Sequence, residues 1–187
     1  MFKGTSASAG IGIGKAVIVE EAELVITRNE VADAEAEIQR FKGALEKTIA
    51  ATQKMADDLA SRVGEKEAEI MQGHMMLLSD PMLTGEIENS VKNDKVNCEF
   101  AIENVCNMYA DMFASMGDEL MQQRATDMRD IKVRMQRTLM GLESVDISLL
   151  PKGSILVAKD LTPSMTAGIN PENVSGIVTE LGGKTSH

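Results

Sequence analysis

Tryptophan is missing from this 187-residue sequence, tyrosine occurs once and phenylalanine four times. Any core must therefore be largely aliphatic. Fourteen methionines are available for it, and their unbranched thioether chains suit irregular gaps between helices. Core filling is the expected role, with a methionine-lined docking surface as the alternative. Positive charge is also scarce: 19 Lys and Arg stand against 29 Asp and Glu, a formal net charge of −10. That argues against a nucleic-acid partner, which calls for a basic footprint, and leaves solubility or a basic protein partner. The two cysteines, Cys98 and Cys106, fall in a helical segment and read as buried thiols rather than a disulfide or a metal pair. No apolar run approaches the roughly 18 residues of a membrane span, and no basic-then-apolar leader precedes Phe2. The expectation is a cytoplasmic protein with no membrane contact. Hydrophobic residues still make up 43%, enough for a folded core.

The pattern changes twice along the chain. Residues 1–28 read as strand and turn, with Gly4, Gly10, Gly12 and Gly14 ahead of the β-branched run Ala16-Val17-Ile18-Val19. From 29 to about 145 the period is helical. Val31, Ala34, Ile38, Phe41, Leu45 and Ile49 are spaced 3, 4, 3, 4, 4 and continue to Met55 and Leu59, one face of a long amphipathic helix. A second helix is expected over 65–78. Asp80-Pro81 looks like an N-cap with proline at the first helical position, opening a short helix to Val91. Phe100, Val105, Met108, Met112 and Met116 mark a third long helix; Met128, Ile131, Met135, Leu139 and Leu142 mark a fourth. Short connections make these antiparallel neighbours in a bundle. Residues 146–187 return to short strands and glycine-rich loops. The strands Val17–Val19, Ile155–Ala158 and Ile177–Thr179 are too few at either end to form a sheet alone. The economical architecture is α+β: a discontinuous α/β domain of 1–28 and 146–187, with an all-helical domain of 29–145 inserted.

The chemistry gathers at the end of the chain. A strand at Ile177-Val178-Thr179 runs into Gly182-Gly183, then Thr185, Ser186 and His187. Glycines let a ligand approach the backbone and expose successive N–H groups, hydroxyls add donors, and a neutral imidazole is a competent nucleophile towards phosphorus. A histidine on a frayed end is the bland alternative. Asp160-Leu161-Thr162-Pro163-Ser164-Met165-Thr166 reads as a turn entering a short helix, where Ser164 and Thr166 can face a phosphoryl oxygen or an imidazole, or simply cap. His74, alone on its helix, reads as a polar contact or interface residue rather than a metal ligand, because no second ligand stands at helical spacing.

Gly182-Gly183-Lys184-Thr185-Ser186-His187 after a strand resembles the phosphohistidine signature of enzyme I of the sugar phosphotransferase system, pyruvate phosphate dikinase and phosphoenolpyruvate synthase. The opening Gly4–Ala16 stretch, the long helical insertion, and Asp160–Ser164 together with Arg129-Asp130-Ile131 resemble the enzyme I family in particular. The resemblance implies a truncated phosphohistidine (swivelling) domain carrying a four-helix bundle that docks the small phosphocarrier protein HPr. It implies a relay: phosphoenolpyruvate and Mg2+ bind a C-terminal barrel absent here, the phosphoryl group moves to His187, and a histidine of HPr receives it. Thr166 would orient His187, and Gly182, Gly183, Thr185 and Ser186 would form the phosphoryl loop. Glu65, Glu67, His74, Met76, Leu77 and Arg124 would face HPr, with the acidic residues (Glu69 among them) steering a basic partner and Met76 and Leu77 giving adaptable apolar contact.

In the family the motif continues past the histidine into a helix, and here the sequence stops. The expected consequences are loss of the helix N-terminus that would face the phosphoryl group, an α-carboxylate beside the imidazole that raises its pKa, and an exposed sheet edge. The resemblance also implies dimerisation through the C-terminal barrel, so this piece is expected to be monomeric unless the open edge pairs with another chain, to need no metal of its own, and to retain HPr binding at most. A non-catalytic acidic helical module and the swivelling domain of a dikinase-like enzyme are the rival readings. A nitrogen-regulatory paralogue usually carries a sensory domain before this region, so the sugar system is favoured.

Overall fold

Parallel pairing between segments far apart in the chain organises one unit, and helix-on-helix packing organises the other. The computed structural model describes residues 4–142 and 144–182, with Glu67 described by its backbone only. The first unit comprises 1–22 and 145–187, the second 23–144.

In the first unit, β1 (Lys15–Val19), β2 (Ser154–Ala158) and β3 (Val174–Thr179) form a parallel sheet in the order β1-β2-β3. Lys15 pairs with Ser154 and Val19 with Ala158; Ala158 in turn pairs with Thr179. A 3-10 turn at Ile147–Leu149 leads to β2, and the short helix α6 (Pro163–Gly168) joins β2 to β3. The core is small: Val19, Ile147, Leu150 and Leu156, with Leu161, Met165, Ile169 and Val174 against it. Ile18, Ile177 and Val178 stand exposed.

The glycines ahead of β1 have a steric reason. A Cβ on Gly12 would collide with the Ser175 carbonyl and one on Gly14 with the Gly153 carbonyl, both backbone atoms that cannot swing aside. Gly14→Ala should therefore lower the stability of the first unit by about 1–3 kcal/mol through overpacking. Hydrogen exchange will show it as faster exchange of the β2 amides with unchanged protection in the helices. Equal loss in both units would refute the steric account.

The second unit contains α1 (Ala34–Arg62), α2 (Glu65–Leu78), α3 (Pro81–Asp94), α4 (Cys98–Ser115) and α5 (Glu119–Met140). These are the three long segments expected from the period (α1, α4 and α5), the second helix as α2, and the short one at Pro81 as α3. Each start has a local cause. Asp33 accepts from Ala36 N (3.0 Å), Asp80 from Met82 N (2.8 Å) with Pro81 at the first helical position, and Asp118 from Met121 N (2.9 Å). Gly64, at φ +147°, turns α1 into α2, and Gly141, at φ +66°, ends α5 in the left-handed conformation. Asn97 Oδ1 accepts from Asn29 N (2.9 Å), and Val31 N donates to Lys95 O (2.9 Å), tying the incoming strap to the α3–α4 turn. Phe41, Leu78, Leu83, Ile87, Ile102, Met128, Ile131 and Met135 fill the core.

Two expectations about this core need correcting. Along α1 the buried line runs Ile38, Phe41, Ala44, Thr48, Thr52, Ala56, Leu59, whereas Leu45 and Ile49 are only half-buried. Small residues let neighbouring helices close in, and each threonine hydroxyl is satisfied within the helix: Thr48 Oγ1 donates to Ala44 O (2.9 Å) and Thr52 Oγ1 to Thr48 O (2.7 Å). Methionine is also less a core residue than its number suggests. Met71, Met128 and Met135 are enclosed, but Met76, Met82, Met108, Met112 and Met116 are exposed. The core face of α4 is Cys98, Ala101, Ile102, Val105, Cys106 and Ala110, so the 108-112-116 row falls on another face. Both cysteines are buried free thiols. Burial pushes the Cys106 thiol up to about 12 and the Cys98 thiol still higher, the latter helped by Glu37.

Candidate functional site

Parallel strands leave the sheet side by side, so the loops after β2 and β3 emerge together. The ladder continues one step past the strands: Glu180 N donates to Ala158 O (3.2 Å) and Leu181 N to Lys159 O (2.9 Å). Thr179 Oγ1 donates to Leu181 O (2.6 Å), and Gly182 takes φ +101°, a conformation that favours glycine. After β2, Asp160 Oδ1 accepts from Leu161 N (2.8 Å), and Thr162 caps α6 through its hydroxyl, accepting from Met165 N (3.4 Å).

These loops and β3 border a cavity of about 530 Å³ whose lining includes Ser8, Asp160, Thr166, Thr179 and Gly182. The space outside the carboxyl ends of parallel strands is where open α/β sheets receive ligands. Thr166 Oγ1 donates to Pro163 O (2.9 Å), which leaves its oxygen as an acceptor for a further N–H. Of the residues singled out from the sequence, Thr166 and Gly182 line this cavity together. Ser164 does not: it is buried, with its hydroxyl 3.2 Å from that of Thr162. Gly183, Thr185, Ser186 and His187 lie outside the described residues. Thr179 escaped sequence reading because a strand-end threonine carries no signal until its neighbour loop is known.

The helical unit carries a second set of features. A groove of about 530 Å³ between α1 and α2 is lined by Gln53, Asp57, Glu65, Glu69, Gln72 and Met75, among others. Among the described residues no basic one lines it. Glu65 and Glu69 were expected on this surface; Asp57 was missed, although Gln53, Ala56, Asp57 and Ala60 share one helix face in the sequence. Met76 is 73% exposed, while Leu77 is half-buried and packs on the core. Glu67 falls on α2.

His74 departs from expectation. It is fully buried and so presents no surface to a partner. Its Nε2 lies 3.2 Å from Asp127 Oδ1 and its Nδ1 3.7 Å from Asp130 Oδ2, both on α5. Two carboxylates make an interior site for an imidazole that the sequence of α2 alone does not reveal. Asp127 also reaches outward: its Oδ2 accepts from Arg124 Nη1 at 3.4 Å. The Arg124 guanidinium lies across Gly73, where an added Cβ would sit 2.5 Å from Nη1.

Among the described residues no group of three or more His, Cys, Asp or Glu is arranged to hold a metal ion, and no helix is long and apolar enough to cross a membrane.

Comparison with known proteins adds to this geometry. Residues 3–124 match the family model "PEP-utilising enzyme, N-terminal", and residues 150–187 match "PEP-utilising enzyme, mobile domain". Over 186 residues the chain is 40% identical to a phosphoenolpyruvate-protein phosphotransferase of Bacillus subtilis (strain 168) and 41% identical to one of Listeria monocytogenes. All of the chain is covered in both matches, but only 33% and 32% of those relatives, so it spans about a third of their length. Among solved structures, the solution structure of an Enzyme I protein (nEIt) matches with a TM-score of 0.88 and 38% identity, covering all of this chain and 76% of that one. The N-terminal domain of "Enzyme 1 - Nitrogen" matches with a TM-score of 0.68 and 25% identity over 97% of this chain and 75% of that one.

Proposed function

The chain belongs to the family of PEP-utilising enzymes, and on that footing we propose that it is the phosphoryl-carrying and carrier-docking portion of a cytoplasmic phosphoenolpyruvate–protein phosphotransferase. In the reaction a ring nitrogen of His187 attacks the phosphorus of phosphoenolpyruvate. The P–O bond to enolpyruvate breaks as a P–N bond forms, and the phosphoryl group then passes to a histidine of HPr. What supports the reading is the convergence of Thr166 and Gly182 on one cavity that runs along β3 and past its carboxyl end, on the loop that leads to His187 in the sequence. Thr166, its proton given to Pro163 O, has an acceptor left for an imidazole N–H. Such a bond fixes the tautomer and leaves the other ring nitrogen as nucleophile. Gly182 and Gly183 supply close backbone approach, and Thr185 and Ser186 hydroxyl donors, for the phosphoryl oxygens. Among the described residues no group of three or more His, Cys, Asp or Glu is arranged to hold Mg2+. Its place, with phosphoenolpyruvate, is the remainder of the protein.

HPr is the proposed partner of the helical unit. The acidic α1–α2 groove suits basic side chains, and exposed Met76 suits an adaptable apolar contact. The reading is tested by titrating HPr into the purified chain and following resonances of α1 and α2; no binding at millimolar HPr would sink it. A second measurement bears on steering. The double variant Glu65→Lys, Glu69→Lys should slow association by about tenfold at low ionic strength and by far less near 1 M salt, where the screening length is only ~3 Å. A salt-independent loss would mean that these carboxylates do not steer.

A further inference from the structure

We propose that Asp127, backed by His74, is a positioning residue for docking: it clamps the Arg124 guanidinium across Gly73, so that a fixed cation stands on the outer face of α2. The inference rests on the docking reading above and adds to it how one cation is held. Asp127 is buried, yet its two oxygens face different groups. Oδ1 is 3.2 Å from the enclosed ring of His74, and Oδ2 is 3.4 Å from the half-exposed Arg124. A surface arginine on a flexible stem is ordinarily a mobile charge. Here its carboxylate partner is itself immobilised by a side chain with no exposure at all, and the guanidinium rests on bare backbone because position 73 has no side chain.

The placement bears on recognition. Residues three and four apart on a helix are surface neighbours, so Gly73 shares its face with Met76 and Leu77. Arg124, carried from α5, thereby adds a second positive centre to a helix face that has Lys66 two turns before Gly73, with Glu65 and Glu69 beside it. A partner seated on Met76 must offer an acceptor here, such as a carboxylate or the free carbonyls of a helix end, while offering cations to the α1–α2 groove. Mixed charge of this kind discriminates between partners better than a uniform acidic face.

Gly73→Ala separates clamping from plain structure. Alanine is the better helix former in an interior position, and the new methyl meets only the movable end of Arg124. The melting temperature should therefore stay at or above that of the wild type while HPr affinity falls about tenfold, as for removal of a well-fixed interface cation. Arg124→Ala and Asp127→Asn should each weaken binding to a similar degree, and the double variant should be no weaker than either single one. The clamp itself is read from guanidinium NMR, where slow rotation about the Arg124 Nε–Cζ bond should be lost in Asp127→Asn. Wild-type affinity in Gly73→Ala, or additive losses in the double variant, would overturn the inference. If the wild type fails to bind HPr, the docking reading falls; slow Arg124 rotation then still establishes the clamp, and fast rotation refutes it.

Discussion

In the complete protein, His187→Ala should remove all acid-labile, base-stable label transferred from phosphoenolpyruvate, while HPr still binds the helical unit. The substitution deletes the only imidazole in the Gly182–His187 sequence and leaves the docking surface untouched. Thr166→Val makes the informative contrast. It removes an acceptor for the imidazole N–H but keeps the nucleophile, so labelling should slow without disappearing. Label persisting in His187→Ala would place the acceptor elsewhere and end the relay reading. Equal loss in both variants would give Thr166 a larger part than orientation.

Asp130→Ala should be among the most destabilising single changes in the chain, at about 3–5 kcal/mol. Asp130 is buried and faces the ring of His74 and the Arg134 guanidinium, whose Nη1 is enclosed with no hydrogen-bond partner. Burial pushes the Arg134 guanidinium down from its ordinary value, and the Asp130 charge works against that shift. Arg134 is otherwise held by one bond, Nη2 to Thr52 Oγ1 at 2.6 Å. Deleting the carboxylate leaves an uncompensated charge between helices, as costly as the large cavity left by Phe41→Ala, for which about 3–5 kcal/mol is also expected. Urea denaturation of both variants checks this. A loss below about 1 kcal/mol for Asp130→Ala would mean that water or a neighbouring group solvates Arg134 instead.

What the sequence disclosed and withheld follows from how local each cause is. The start of α3 was legible because Asp80 and Pro81 act on adjacent atoms, and the helical period of α5 because Met128, Ile131 and Met135 repeat along a single element. The buried line of α1 was legible at Ile38, Phe41 and Leu59 but not at Thr48 and Thr52. Thr48 and Thr52 look like surface residues until Arg134, on a helix some eighty residues later, donates to Thr52. His74 misled for the same reason, since Asp127 and Asp130 make its interior site from another helix. In the first unit, Thr166 was drawn from its motif, whereas Thr179 became visible only once β2 and β3 were set side by side.

The pairing of Lys15–Val19 with Ser154–Ala158 also constrains the order in which the chain can assemble. A ladder between segments so distant faces a large entropic barrier if everything between them is still a random coil. Helices form from near neighbours and on shorter timescales. Once the segment from 23 to 144 has condensed, the two strands are tethered to one rigid body rather than to a long floppy tether. The inserted helices thus act as a template for closing the sheet, and any lesion that delays their collapse should delay β1–β2 registration as well.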